Sequence, residues 1–404
     1  MKKLFTTLLA LLALVGVKAN DGAFYSQGNQ LIPITESTIR VQKEILTITL
    51  DQTGKGLHRF KVNVYYEFFN PGPAKDLLVG FEAITDDNAV THPYIHDFKV
   101  VMNDRELPHE VSRFFYPINR DNQLDFEIKN YYKNGHFVEP TEAMWKAMKD
   151  PDSPYYYYEE VGMVPYYFVY HFNAHFNPGL NIIRHTYDFF GSDLVQEEYL
   201  FNYVLTAANR WANNGIDDFT LEINMGDRQS FSVQPTFFKN ANEWTFTGKG
   251  KVDERKDMLF VCEDCPMFHV QSGSIVFRKK HFHPEGELFV VRDSFYISES
   301  FDYRKKEERS IYDPEGFVEG FKTQYCNLAL DPYDNTPINM SNMTAEQKRI
   351  LKNIPFAYRG YVFKNQDLQR YFNSTDWYVP NPEYKSDMTT LSKGEKDWVQ
   401  LWSK

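Results

Sequence analysis

Cys262-Glu263-Asp264-Cys265 is the most visible spacing of reactive side chains in this sequence. Two cysteines three positions apart can close a disulfide, cycle between thiol and disulfide, or supply half of a zinc site. A redox pair of the thioredoxin kind sits between a strand and a helix, whereas Phe268 to Phe277 downstream reads as a strand. Zinc needs two further ligands, and His269, Cys326, His281 and His283 are at hand at spacings that fit no finger pattern. A structural disulfide or free thiols therefore rank ahead of redox cycling and of metal, and Cys326 is left odd.

His281-Phe282-His283-Pro284-Glu285-Gly286-Glu287 sets two histidines and two acids at alternate positions. On a strand all four would share one face and could hold a divalent cation, but Pro284 and Gly286 favour a turn. His92 and His96, and His171 and His175, have the helical i,i+4 metal spacing without a helical context. His109-Glu110 is not followed by the second histidine of a zinc-protease motif. No phosphate loop, dinucleotide turn or serine elbow is present, and Asp217-Asp218 or Glu159-Glu160 cannot be singled out as a glycosidase pair. The Tyr155 to Tyr158 run could stack on sugars, although in so tyrosine-rich a chain packing is the commoner use.

The elements that must position these groups are mainly β. The chain has 404 residues, 42% hydrophobic and 17% aromatic, which excludes a disordered, collagenous or polytopic membrane protein. Lys2 and Lys3, the apolar run Leu4 to Val15 and the small residue Ala19 read as a signal peptide over residues 1–19. No cysteine follows to carry a lipid anchor, and no later segment is long and apolar enough to span a membrane. Thr38 to Leu50 alternates apolar and polar residues apart from the Ile45-Leu46 pair, and with Phe60 to Phe69, Leu77 to Ala83 and Phe98 to Met102 it reads as the strands of a β-sandwich unit over 20–140. A short helix and connector occupy 141–160, where Thr141 can cap Met144 to Met148. A second β-rich unit, 161–300, begins at Tyr166 and turns at Asn177-Pro178-Gly179. An extended connector, 301–341, then leads to a small α-helical domain over 342–404. There Thr344 with Gln347 and Ser392 with Glu395 read as capping boxes, and Asn365 precedes a third short helix.

Charge changes sign at the same boundary. The chain carries 44 Lys+Arg against 55 Asp+Glu, yet residues 342–404 carry 10 against 7. The acidic body repels nucleic acid phosphates and anionic lipid, so neither is an expected partner.

The tail also resembles a known family. Asn353, Ala357, Gly360, Phe363, Leu368, Tyr371, Phe372, Trp377 and Tyr378, with Leu391 and Glu395 in the closing helix, are similar to the YARHG domain of bacterial exported proteins. The naming motif reads Phe356-Ala357-Tyr358-Arg359-Gly360, with Tyr358-Arg359 in place of Arg-His, and Pro355 stands where the family keeps a continuous helix. The family brings no established activity; the resemblance implies export. The body resembles, in scattered pieces, uncharacterised exported β-sandwich families, through Ile39, Glu44 and Leu46, Tyr66-Glu67-Phe68 before Asn70-Pro71, and Tyr203 to Ile216.

The sequence thus points to one or two antiparallel β-sandwich units followed by a small α-helical domain, in an exported periplasmic or extracellular protein. The expected function is non-catalytic binding of a cell-wall polymer, a glycan or an envelope protein, with no cofactor and no metal. Tyr358, Arg359, Trp377 and Tyr378 are the candidate binding residues, against the plainer role of pinning three short helices together. The alternative is an envelope hydrolase or metal-dependent enzyme built on Cys262/Cys265 and His281/His283.

Overall fold

A period of two governs the body. Leu46, Ile48 and Leu50 are buried while Ile45, Thr47 and Thr49 between them remain partly exposed, and Phe60, Val62, Val64, Tyr66 and Phe68 repeat the pattern one strand on. Strands so patterned must lay one face on another layer. The computed structural model describes residues 21–27, 30–33, 36–51, 58–85, 95–115, 132–133, 136–137, 146, 166–194, 197–253, 265–293, 345–375, 377–391 and 393–403. The signal segment, the expected 141–150 helix, the tyrosine run and the 301–341 connector lie outside these residues, residue 146 apart.

The chain begins with β1 (Asp21–Gln27), β2 (Gln30–Pro33), β3 (Arg40–Asp51), β4 (Arg59–Asn70), β5 (Lys75–Thr85), β6 (Ile95–Met102), β7 (Arg105–Leu107) and β8 (Glu110–Phe115). A short ribbon, β9 (Tyr132–Lys133) and β10 (His136–Phe137), precedes β11 (Tyr166–Phe176), β12 (Gly179–Phe190), β13 (Ser192–Leu194) and β14 (Glu197–Tyr203). After these come β15 (Ile216–Asn224), β16 (Gln229–Val233), β17 (Trp244–Phe246), β18 (Lys249–Asp253), β19 (Met267–Ser272), β20 (Ile275–Phe282) and β21 (Leu288–Asp293). Helices α1 (Ala345–Ala357), α2 (Gln366–Asn373) and α3 (Lys393–Leu401) make the tail.

Among the described residues, three sheets of five or more strands carry the body. Eight strands are ordered β17-β20-β15-β3-β4-β12-β6-β7, six are ordered β13-β14-β21-β16-β19-β18, and five are ordered β2-β1-β5-β11-β8. The largest sheet mixes strands from 20–140 with strands from 161–300, because β3 pairs antiparallel with β4 on one side and parallel with β15 on the other. Its inner face packs on both other sheets. Phe60 meets Tyr199 and Phe201 of the six-stranded sheet, while Phe81 of the five-stranded sheet meets Phe98 and Tyr187. One apolar core runs from Ile39 to Val290, and a second, separate core lies in the tail between Ile350 and Trp402.

Two local expectations change. Phe268 to Phe277 is two strands, since Gly273 adopts a φ of 86° and turns β19 back into β20. Tyr199 to Thr206 is strand only to Tyr203; a 3-10 turn over Thr206–Arg210 follows, with Glu287 accepting from the amides of Leu205 at 2.7 Å and Thr206 at 3.0 Å.

Where the three sheets meet, the core is polar. The Tyr203 hydroxyl donates to Glu44 at 3.0 Å and accepts from Tyr66 at 2.8 Å, all three being buried. His185 is enclosed by Tyr66, Phe81, Phe98 and Phe172 at ring distances of 5.3 to 5.8 Å. Burial, then the neighbouring Glu44 charge, pushes the Tyr203 phenol well above the ordinary tyrosine range, and burial does the same to Tyr170.

Both phenols stay protonated in the fold at pH values where an unfolded tyrosine ionises. Their contribution is intact below about pH 10 and is lost as pH rises beyond it, by up to about 1.4 kcal/mol per pH unit per group. Urea unfolding followed between pH 8 and 11 will show this fall. Tyr203→Phe will flatten the slope and, by removing a donor from Glu44, cost about 1–3 kcal/mol at pH 7.

Candidate functional site

The tail motif is built around the end of α1. Gly360 has a φ of 78°, its amide donates to Ala357 at 2.7 Å, and the Tyr361 amide donates to Phe356 at 3.0 Å. This pair of bonds is a Schellman stop with glycine in the left-handed position. A Cβ there would come within 2.5 Å of the Val379 carbonyl oxygen and 2.7 Å of Asn381 Cβ, so glycine also permits the returning chain to close in.

Arg359 precedes that glycine and turns inward. Its guanidinium meets Glu395 of α3 in a two-pronged pair, Nη1 to Oε1 at 2.6 Å and Nη2 to Oε2 at 2.9 Å, with side chains 7% and 0% exposed. Nη1 also donates to the Pro355 carbonyl at 2.8 Å. α1 continues through Pro355, which has no amide hydrogen to give Leu351 four residues back. The Trp398 indole fills that vacancy, donating to the Leu351 carbonyl at 2.7 Å from within the core. Both departures from the family pattern thus become ties between α1 and α3.

The other candidate residues divide between core and seam. Trp377 and Tyr378 are buried in the tail core, and the Tyr378 hydroxyl donates to Tyr361 at 2.9 Å while accepting from Gln369 at 3.2 Å. Arg359, Trp377 and Tyr378 are therefore packed within the tail and help hold its helices together. Tyr358 alone reaches the body, where its hydroxyl donates to the Arg228 carbonyl at 2.6 Å. Lys249 of edge strand β18 donates to Asn381 and Glu383 of the tail, both at 2.7 Å, and Lys251 donates to the Thr375 carbonyl at 2.9 Å. Nothing in the sequence marks this seam, since its partners lie more than a hundred positions apart.

The capping asparagine is in place: Asn365 Oδ1 accepts from the amides of Asp367 and Leu368 at 3.0 Å, while Thr344 and Ser392 lie outside the described residues. Cys265 is buried ahead of β19 and disulfide-bonded; Cys262 and Cys326 lie outside the described residues. The alternating His281 to Glu287 set does not share a face. β20 ends at Phe282, His281 and Glu285 are exposed, His283 Nδ1 bonds the Asn214 carbonyl at 2.5 Å, and Glu287 turns inward. His171 and His175 share strand β11, where four residues separate them by about 13 Å. Among the described residues no group of three metal-ligating side chains converges. A pair the sequence does not advertise is Ser230 with His269, cross-strand neighbours whose Oγ and Nδ1 lie 2.8 Å apart in the buried sheet.

Removing one partner of a buried ion pair strands the other. Arg359→Met will lower the stability of the helical tail by about 3–5 kcal/mol, and adding Glu395→Leu will recover most of it, read by far-ultraviolet dichroism in urea. A double variant no better than the single one contradicts a buried pair. Trp398→Phe will cost about 1–3 kcal/mol by leaving the Leu351 carbonyl unbonded. Pro355→Ala in that background will return part of the loss by supplying the helix amide.

No curated protein matches the chain. Among solved structures, a candidate nutrient-binding protein of Legionella pneumophila aligns over 96% of this chain and 99% of its own, at 16% identity and a TM-score of 0.42. An M1 zinc metallopeptidase from Deinococcus radiodurans aligns over 64% of this chain and 43% of its own, at 10% identity and a TM-score of 0.25. No helix among the described residues is long and apolar enough to cross a membrane. Residues 323–404 match the family model of the YARHG domain, beginning within the stretch read as connector.

Proposed function

We propose that this protein is an exported, non-catalytic binding protein of the bacterial envelope, taking a cell-wall polymer, a glycan or an envelope protein as its ligand. The observation that carries the reading is the docked YARHG unit, a helical lobe with its own core that Tyr358, Lys249 and Lys251 fasten to the β body. A lobe so fastened presents its outer surface in a fixed attitude, which suits recognition. The side chains best equipped for chemistry hold the fold: Arg359 and Glu395 join two helices, and Glu287 caps a turn. The leader-like residues 1–19 support export.

Co-sedimentation with purified cell-wall sacculi tests the reading. Residues 20–404 will sediment, and residues 20–341, which keep the separate body core, will remain in the supernatant. Equal sedimentation of both, or of neither, overturns it.

A further inference from the structure

The acids among the tail's described residues are largely committed. Glu395 is buried against Arg359, Asp367 pairs with Arg370 at 3.3 Å, Glu383 pairs with Lys249 of the body at 2.7 Å, and Asp387 accepts from the Thr389 amide at 2.8 Å. Glu346 is exposed in the first turn of α1.

Those cations are differently placed. α1 carries Lys348, Arg349 and Lys352, and α3 carries Lys393 and Lys396; all five are exposed or partly so, and none enters an ion pair among the described residues. Lys396 helps hold the Asp387 carboxyl below its usual range, after the bonds that Asp387 receives from Thr389. Lys348 and Lys352 stand one turn apart, as nearly do Arg349 and Lys352, and Lys393 and Lys396. Like charges at these spacings repel and weaken a helix. An external anion would relieve that repulsion.

The distribution of charge says which anion. Residues 342–404 hold 10 Lys+Arg against 7 Asp+Glu, while the whole chain holds 44 against 55. An acidic body turns a polyanion away and leaves the tail as the attractive end. Lys348 and Lys352 are about 6 Å apart along the helix axis, a separation that matches closely repeated charges on a polymer better than one small ion.

We propose that the outer surfaces of α1 and α3 bind an anionic glycan polymer through Lys348, Arg349, Lys352, Lys393 and Lys396. This rests on the envelope-binding reading and gives it a surface and a ligand class. The anion's charge can be carboxylate or phosphodiester, and the surface recognises the repeat.

Affinity electrophoresis of residues 20–404 at low salt, with polygalacturonate, poly(glycerol phosphate) or neutral dextran in the gel, tests it. Retardation is expected with at least one polyanion, which identifies the charge type, and not with dextran. Lys348→Glu with Lys352→Glu and Lys393→Glu will weaken retardation about tenfold or more, since each exposed charge contributes modestly and screening by salt acts on all. Arginine at the same three positions will retain it, and an unchanged dichroism spectrum will show that the helices persist. No retardation by either polyanion, equal retardation by dextran, or no effect of charge reversal overturns the proposal. So does a dimer in sedimentation equilibrium that charge reversal abolishes, which would make the acidic body of a second copy the occupant. Charge-reversed protein that still sediments with sacculi overturns this surface and leaves the envelope-binding reading standing.

Discussion

The body depends on the two-sided pairing of β3. Its neighbour β4 is antiparallel and follows directly, but its other neighbour, β15, is parallel and lies far along the chain. A parallel pair cannot be joined by a tight turn, so everything from β4 to β14 is carried within the crossover between β3 and β15. The two halves therefore cannot come apart without breaking the centre of the largest sheet. Register follows from the same strand: the irregularity between Val41 and Lys43 resets the alternation so that Val41 and Glu44 are both buried. A one-residue slip beyond that point would turn Leu46, Ile48 and Leu50 to solvent.

The polar groups buried at the meeting of the sheets restrict the packing further. Apolar surfaces slide against each other with little loss, whereas Tyr203 can reach Glu44 and Tyr66 together in only one relative placement of the six- and eight-stranded sheets. Glu287 acts similarly at the rim, tying the turn after β14 to the approach of β21. These interactions select one arrangement among many that would bury similar apolar area.

In the tail, the family motif works as a device for ending a helix. Gly360 provides the left-handed residue, Arg359 points back across the helix end to Glu395, and the amide missing at Pro355 makes room for the Trp398 indole. Three features spaced within six residues fix the angle and position of α3 on α1. The same geometry leaves the lysines on the far sides of both helices facing water, so stability and display are divided between two faces of one small unit.

Local structure was legible in the sequence. Alternation marked the buried face of β3, Asn365 marked the start of α2, and the order of aromatic residues identified the tail. Each of these signals is set by contacts within a few residues, which the chain makes wherever it goes. In the Phe268 to Phe277 stretch the apolar run masks the turn at Gly273. What only the tertiary structure decided was partnership: β3 beside β15, Arg359 against Glu395, Lys251 on the Thr375 carbonyl, and Trp377 and Tyr378 inside a core. An arginine and two aromatic side chains look alike in sequence whether they meet a ligand or each other. Their roles are settled when distant segments pack and burial determines which groups water can still reach.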